Sequence, residues 1–164
     1  MILSIKTTGF SHDSSLISIG IKTASSVKFW NIWDFGNESE LIGDFIKYFT
    51  DIDDKIVIGF NILKFDIPFL LLKSMNLPAF DNFFRKINFS NITDLFAVLT
   101  FMNKGVIKGL DYYCRKYNIQ KDFVSDNEMT ELHKNREHES FEKNLSGKLN
   151  ATNELFAKLF WGKE

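Results

Sequence analysis

Any chemistry this chain performs would have to rest on carboxylates, because its other reactive side chains are not grouped. The three histidines, His12, His133 and His138, show no metal-ligand spacing. Cys114 is the only cysteine, so neither a zinc site nor an internal disulfide can be assembled from thiols. Among the acids, Asp66 and Asp94 stand out by context. Asp66 is followed by Ile67-Pro68, and an acid just before proline marks a helix start; Thr93-Asp94 opens a second apolar stretch in the same way. Each is predicted to cap its helix, a role worth about 1 kcal/mol whether or not the carboxylate ever meets a metal.

The elements that must position these acids can be read from periodicity. Met1–Ile5, Ser15–Ile21 and Val27–Trp33 are rich in β-branched and aromatic residues and are separated by Gly/Ser/Asp turns, which predicts three consecutive strands. From Glu38 to Phe49, Leu41, Ile42, Phe45, Ile46 and Phe49 recur at spacings of three and four, the buried face of an amphipathic helix. Residues 55–60 then read as a fourth, more buried strand. Helices are predicted after Asp66 to Met75, from Thr93-Asp94 to Phe101, over Leu110–Tyr117, and over Asn144–Trp161, where Leu145, Leu149, Thr152, Leu155, Phe156 and Leu159 keep helical spacing. The charged run Ser125–Asn144 reads as a solvated helix face or a mobile loop. This order predicts an α/β domain, a central mixed sheet flanked by helices.

Three segments carry a family resemblance. Leu3-Ser-Ile-Lys-Thr-Thr-Gly-Phe10 resembles the first motif of the DnaQ-like 3′–5′ exonucleases, in which a strand ends in Asp-Ile-Glu-Thr-Thr-Gly and both acids hold divalent metal. Ile58-Gly-Phe-Asn-Ile-Leu-Lys-Phe-Asp-Ile-Pro-Phe-Leu70 resembles the second motif in the form found in family B DNA polymerases. Thr93–Leu99 and Lys108–Asn118 resemble the helices that follow. Anchoring the third motif on Thr152-Asn-Glu-Leu-Phe156 puts Lys148 at its acid position and Asn144 at its tyrosine position; a one-residue slip would put Gly147 there instead, and His138 lies too far upstream to serve.

The resemblance implies an RNase H-like fold and a metal site from which most ligands are missing. Ser4, Lys6, Asp66 and Lys148 occupy the four acidic positions, a net charge of +1 where the family has four carboxylates, and Asp66 is the only retained acid. Two-metal hydrolysis needs several carboxylates clamping ions about 4 Å apart. The implied function is therefore a catalytically inactive exonuclease-like domain, with no bound cofactor, that binds nucleic acid or recruits a partner. Its strand-binding residues would be Thr7, Thr8, Gly9, Phe10, Asn61 and Phe65, and its partners single-stranded DNA or RNA, a polymerase, or another replication or repair protein. Lys6 or Lys148 is expected to place its ammonium where a metal would sit and to pair with Asp66. Two alternatives stay open: an active exonuclease using Mg²⁺ or Mn²⁺ with substitute acids from Asp13, Asp34 or Asp94, and a purely structural protein-interaction subunit.

Composition bounds these readings. The chain has 164 residues, 45% of them hydrophobic, enough for one ordinary core, so one domain over 1–164 is expected. A formal charge of −1 excludes an overall basic field that would draw nucleic acid from a distance. Eighteen phenylalanines imply a Phe-packed interior or an apolar surface that meets a partner. Phe80, Phe83 and Phe84 sit in a proline-headed connection expected to fold back over the core. No signal peptide and no membrane-length apolar run is visible, so a soluble cytoplasmic protein is the expectation.

Overall fold

The computed structural model describes residues 1–11, 13–53, 56–87 and 91–162; His12 and the first residue of the strand expected over 55–60 lie outside them. Its centre is a five-stranded sheet of β1 (Ile2–Thr7), β2 (Leu16–Lys22), β3 (Val27–Asn31), β4 (Val57–Gly59) and β5 (Ile92–Asp94), in the order β3-β2-β1-β4-β5. β1, β2 and β3 pair antiparallel, whereas β4 joins β1 and β5 joins β4 in parallel. The predicted mixed sheet is therefore present. β3 ends at Asn31, two residues before the predicted boundary, because Ile32–Asp34 turns into a short 3₁₀ segment.

Seven α-helices flank the sheet among the described residues: α1 (Glu38–Asp51), α2 (Ile67–Ser74), α3 (Phe80–Lys86), α4 (Leu95–Met102), α5 (Leu110–Lys116), α6 (Asp126–Lys134) and α7 (His138–Trp161). α1 starts where the Asn37 side chain accepts the Glu40 amide at 3.0 Å, and it buries the five apolar residues that its periodicity singled out. The proline-headed connection is helical, as α3: Phe83 enters the core between Phe45 and Phe49, while Phe84 stays exposed. The charged run is a solvated helix face and not a loop: it forms α6 and the first turns of α7, with most of its charged side chains exposed and Met129 and Phe141 buried beneath.

Side chains alternate along β1, so its two faces meet different layers. Leu3 and Ile5 pack with Leu41, Phe45, Leu70 and Phe83 of α1 to α3. Ile2 packs on the other side with Leu99, Tyr113 and Leu155 of α4, α5 and α7. By the same alternation Ser4 and Lys6 point toward α7. Helix α7 lies close there: a Cβ on Gly20, the β2 partner of Ser4, would meet Leu145 and Leu149 at 3.0–3.3 Å. The same helix meets the backbone before α6 at Gly147, where a Cβ would overlap the Asp122 carbonyl. Gly147 thus fits a close approach of backbones.

Candidate functional site

The site forms at the end of β1, under α6 and α7. The β1–β2 ladder slips register between Lys6 and Thr7, so the strand departs from its partner just as it reaches the Thr7-Thr8-Gly9 turn. In that turn the Thr7 hydroxyl donates to the Gly9 carbonyl, and the Thr8 hydroxyl accepts the Ser15 amide at 3.0 Å. The turn therefore holds itself together. Phe10 projects beyond it, 76% exposed, edge-on to Phe65 with ring centroids 5.5 Å apart.

Asp66 ends a π-helical turn, Ile62–Asp66, that links β4 to α2. Asn61 starts this turn in the left-handed region, at φ 68°, a conformation asparagine tolerates better than most residues. Asp66 stands at the N-terminus of α2, yet its side chain caps no helical amide. Instead Asp66 Oδ1 accepts the Ile5 amide of β1 at 2.8 Å, which corrects the capping expectation. Register explains the difference: the turn carries Asp66 under β1, and the carboxylate satisfies a strand N–H left open beside the short β4. Burial pushes the Asp66 carboxyl up to about 7; Lys148 and the Ile5 amide oppose the rise, and Asp94 adds to it.

Lys6 does not pair with Asp66. Its ammonium donates to the Asp126 carbonyl at 2.7 Å and to Asp126 Oδ1 at 3.2 Å, at the first turn of α6. Lys148 Nζ, one turn beyond Asn144 on α7, lies 3.9 Å from the same carboxylate oxygen. Lys6 is only 7% exposed. Burial lowers its affinity for a proton, Asp126 works against that, and Lys148 adds to it, for a net downward shift. For Asp126 burial acts upward, but Lys148 and Lys6 together outweigh it and hold the carboxyl below its ordinary value. One carboxylate thus bridges two ammonium groups. Asp66 feels Lys148 as its main favourable charge but accepts no lysine hydrogen bond among the described residues.

Asp126 is the functional residue that sequence reasoning missed, 120 positions from the lysine it serves. A signal for it existed. Lys6 shares a strand face with Ile2 and Ser4 and so had to be buried, which requires an anion, and the acids around Ser125 were available. α6 is fixed there by a capping box in which Ser125 and Glu128 satisfy each other's amides. Asn144, at the tyrosine position of the third motif, accepts the Val124 amide and pins the same segment to α7.

The remaining acids are placed as follows. Asp94 caps α4, as expected, and its two oxygens also accept the Asn61 and Leu63 amides at 2.9 and 3.0 Å. Its lone pairs are committed to backbone N–H groups. Asp34 is exposed and accepts from Asn31, and Asp13 lies exposed in the β1–β2 turn. Among the described residues, no three His, Cys, Asp or Glu side chains converge as metal ligands. Ser4, Lys6, Asp66 and Lys148 do not fit a pair of divalent cations, since they offer one carboxylate beside two ammonium groups. No helix is long and apolar enough to cross a membrane, again among the described residues.

The family described as "DNA polymerase family B, exonuclease domain" matches residues 17–108, more than half of the chain. The DNA polymerase delta catalytic subunit of Schizosaccharomyces pombe is 32% identical over 74 residues, covering 44% of this chain and 7% of that protein. The subunit of the same name from Glycine max is 32% identical over 57 residues, covering 35% and 5%. The matches thus span under a tenth of these relatives' length. The family B DNA polymerase from the hyperthermophilic archaeon Pyrobaculum calidifontis superposes with a TM-score of 0.74 at 12% identity, covering 98% of this chain and 24% of that one, a likeness that shows the RNase H-like fold. The chain belongs to the exonuclease-domain family of the family B DNA polymerases.

Proposed function

We propose that this domain is a catalytically inactive member of its family, which keeps the exonuclease scaffold as a module for binding or recruitment in DNA or RNA transactions. The observation that carries the reading is the ion cluster at the end of β1. Lys6, buried at an acidic position of the first motif, is satisfied by Asp126, and Lys148 shares that carboxylate. Two ammonium groups beside this carboxylate disfavour a divalent cation, which supports a loss of metal-assisted hydrolysis through these residues.

Thr8, Gly9, Phe10, Asn61 and Phe65 then form the strand-binding surface, whereas Thr7, expected among them, is buried and braces the turn through its bond to the Gly9 carbonyl. Phe10 offers a solvent-facing ring supported edge-on by Phe65, and base stacking on such a ring is worth roughly 1–3 kcal/mol. With no overall basic field, binding to single strands is weak and salt-sensitive. The partners are single-stranded DNA or RNA and a polymerase or another replication or repair protein.

The test is degradation of end-labelled single-stranded DNA and RNA in Mg²⁺ and in Mn²⁺, with Asp66→Ala as the contamination control. No Asp66-dependent cleavage is expected. Cleavage that disappears in Asp66→Ala would overturn the reading and require replacement ligands.

A further inference from the structure

A second surface lies away from the ion cluster. The π-helical turn and α4 enclose an open groove of about 790 Å³ whose lining includes Leu63, Phe96, Ala97 and Phe101, with Lys64 and Lys104 at its charged positions. None of Ser4, Lys6, Asp66 or Lys148 contributes to it. Phe101 is 87% exposed, and Met102, Val106 and Ile107, which follow it in the chain, are exposed as well. The turn after α4 that presents them is tied down: the Gly105 amide donates to the Thr100 carbonyl, and Asn103 and Val106 bond each other. A row of exposed apolar residues on a fixed turn leaves considerable apolar area in water, which marks a contact surface.

We propose that this groove docks a peptide segment of a protein partner, one that carries apolar anchor residues next to acidic ones. Charge selects the acidic character. Neither Lys64 nor Lys104 has an acidic partner within salt-bridge distance among the described residues. The only acid in the lining, Asp94, is buried and turned inward onto four backbone amides. Two uncommitted cations therefore border an apolar floor. A nucleic-acid strand fits less well: the lining holds no further Lys or Arg, and the Phe96 ring is already engaged with Phe60 at 5.6 Å, leaving Phe101 as the one open stacking ring of the groove. The proposal names the partner class for the recruiting role and is independent of whether the domain is catalytically inactive.

The test is panning of a random 12-residue peptide display library on the intact chain, with counter-selection on Phe101→Glu/Lys104→Glu. Phe101 and Lys104 are both exposed, so the double variant keeps its fold, checked by circular dichroism and thermal unfolding. The expected result is enrichment of sequences with two or more Leu, Ile, Phe or Trp residues flanked by Asp or Glu. By fluorescence anisotropy, a labelled enriched peptide should bind the intact chain at least tenfold tighter than the double variant, by a smaller margin at 0.5 M NaCl. Three results overturn the proposal: no enrichment over the counter-selected variant, enrichment of basic sequences, or oligothymidylate binding that is lost in the double variant. Concentration-dependent dimerisation abolished by Phe101→Glu would also overturn it, because a second copy would then be the occupant. The nuclease assay reads a different site, so failure of one reading leaves the other standing.

Discussion

The sharpest physical consequence of the site is the contribution of Asp66 to the pH dependence of stability. Its carboxyl is raised from 3.8 to about 7 in the folded chain, chiefly by burial. Between these values the folded protein holds a proton that the unfolded chain has released, so stability falls as pH rises from about 4 to about 7 and is flat above. Roughly three pKa units correspond to about 4 kcal/mol in total, of which about 3 kcal/mol falls between pH 5 and pH 8. Asp66→Asn keeps an oxygen for the Ile5 amide and removes the ionisation, so it should match the native chain below about pH 4, and its advantage should grow by about 3 kcal/mol between pH 5 and pH 8. Urea unfolding of both proteins across this range, followed by tryptophan fluorescence, reads the difference directly. The difference matters because His133, lowered by burial and by His138, acts in the opposite direction below its ordinary value and cancels between the two proteins. A gap that stays constant from pH 5 to pH 8 would refute the reasoning. A variant that loses ground at pH 8 would show that Asp66 is ionised and held by Lys148.

Three further outcomes follow from the same geometry. Asp126→Ala leaves the buried Lys6 ammonium with the backbone carbonyl alone and should cost about 2 kcal/mol, whereas Lys6→Met removes the buried charge itself and should change stability by less than about 1 kcal/mol; thermal unfolding of both ranks them. Combining Ser4→Asp, Lys6→Glu and Lys148→Asp should lower stability in the absence of metal and create a Mn²⁺-dependent rise in melting temperature, worth about 1.4 kcal/mol at tenfold excess over Kd, while the native chain shows none. Gly147→Ala should destabilise by about 2 kcal/mol in urea, because a Cβ there overlaps the Asp122 carbonyl and either α7 or the segment before α6 must move.

What the sequence made legible was local. The apolar spacing of α1 identified all five of its buried residues, and Asp94 before an apolar run located the cap of α4, because both signals lie within one or two turns of helix. The errors arose where a long-range contact outranked a local preference. Asp66 has the sequence context of a cap, but the Ile5 amide, 61 residues away, takes its oxygen. The charged stretch around Ser125 is the solvated helix face its composition suggests, but nothing local shows that Asp126 within it is the anion for a lysine on the central strand. Phe83 and Phe84 are neighbours of identical type with opposite fates, decided by which face of α3 meets α1.

The error about the lysine changes the account of the site itself. A Lys6–Asp66 pair would have made the retained acid the anchor of the fold, with its charge required at every pH. Asp126 anchors Lys6 instead, and Asp66 is left buried, bonded to a strand amide and raised toward neutrality. Burial is the main cause of that rise, and the Ile5 amide, which the carboxylate accepts, works against it. Asp66 thus works as a hydrogen-bond acceptor between β1 and the turn before α2.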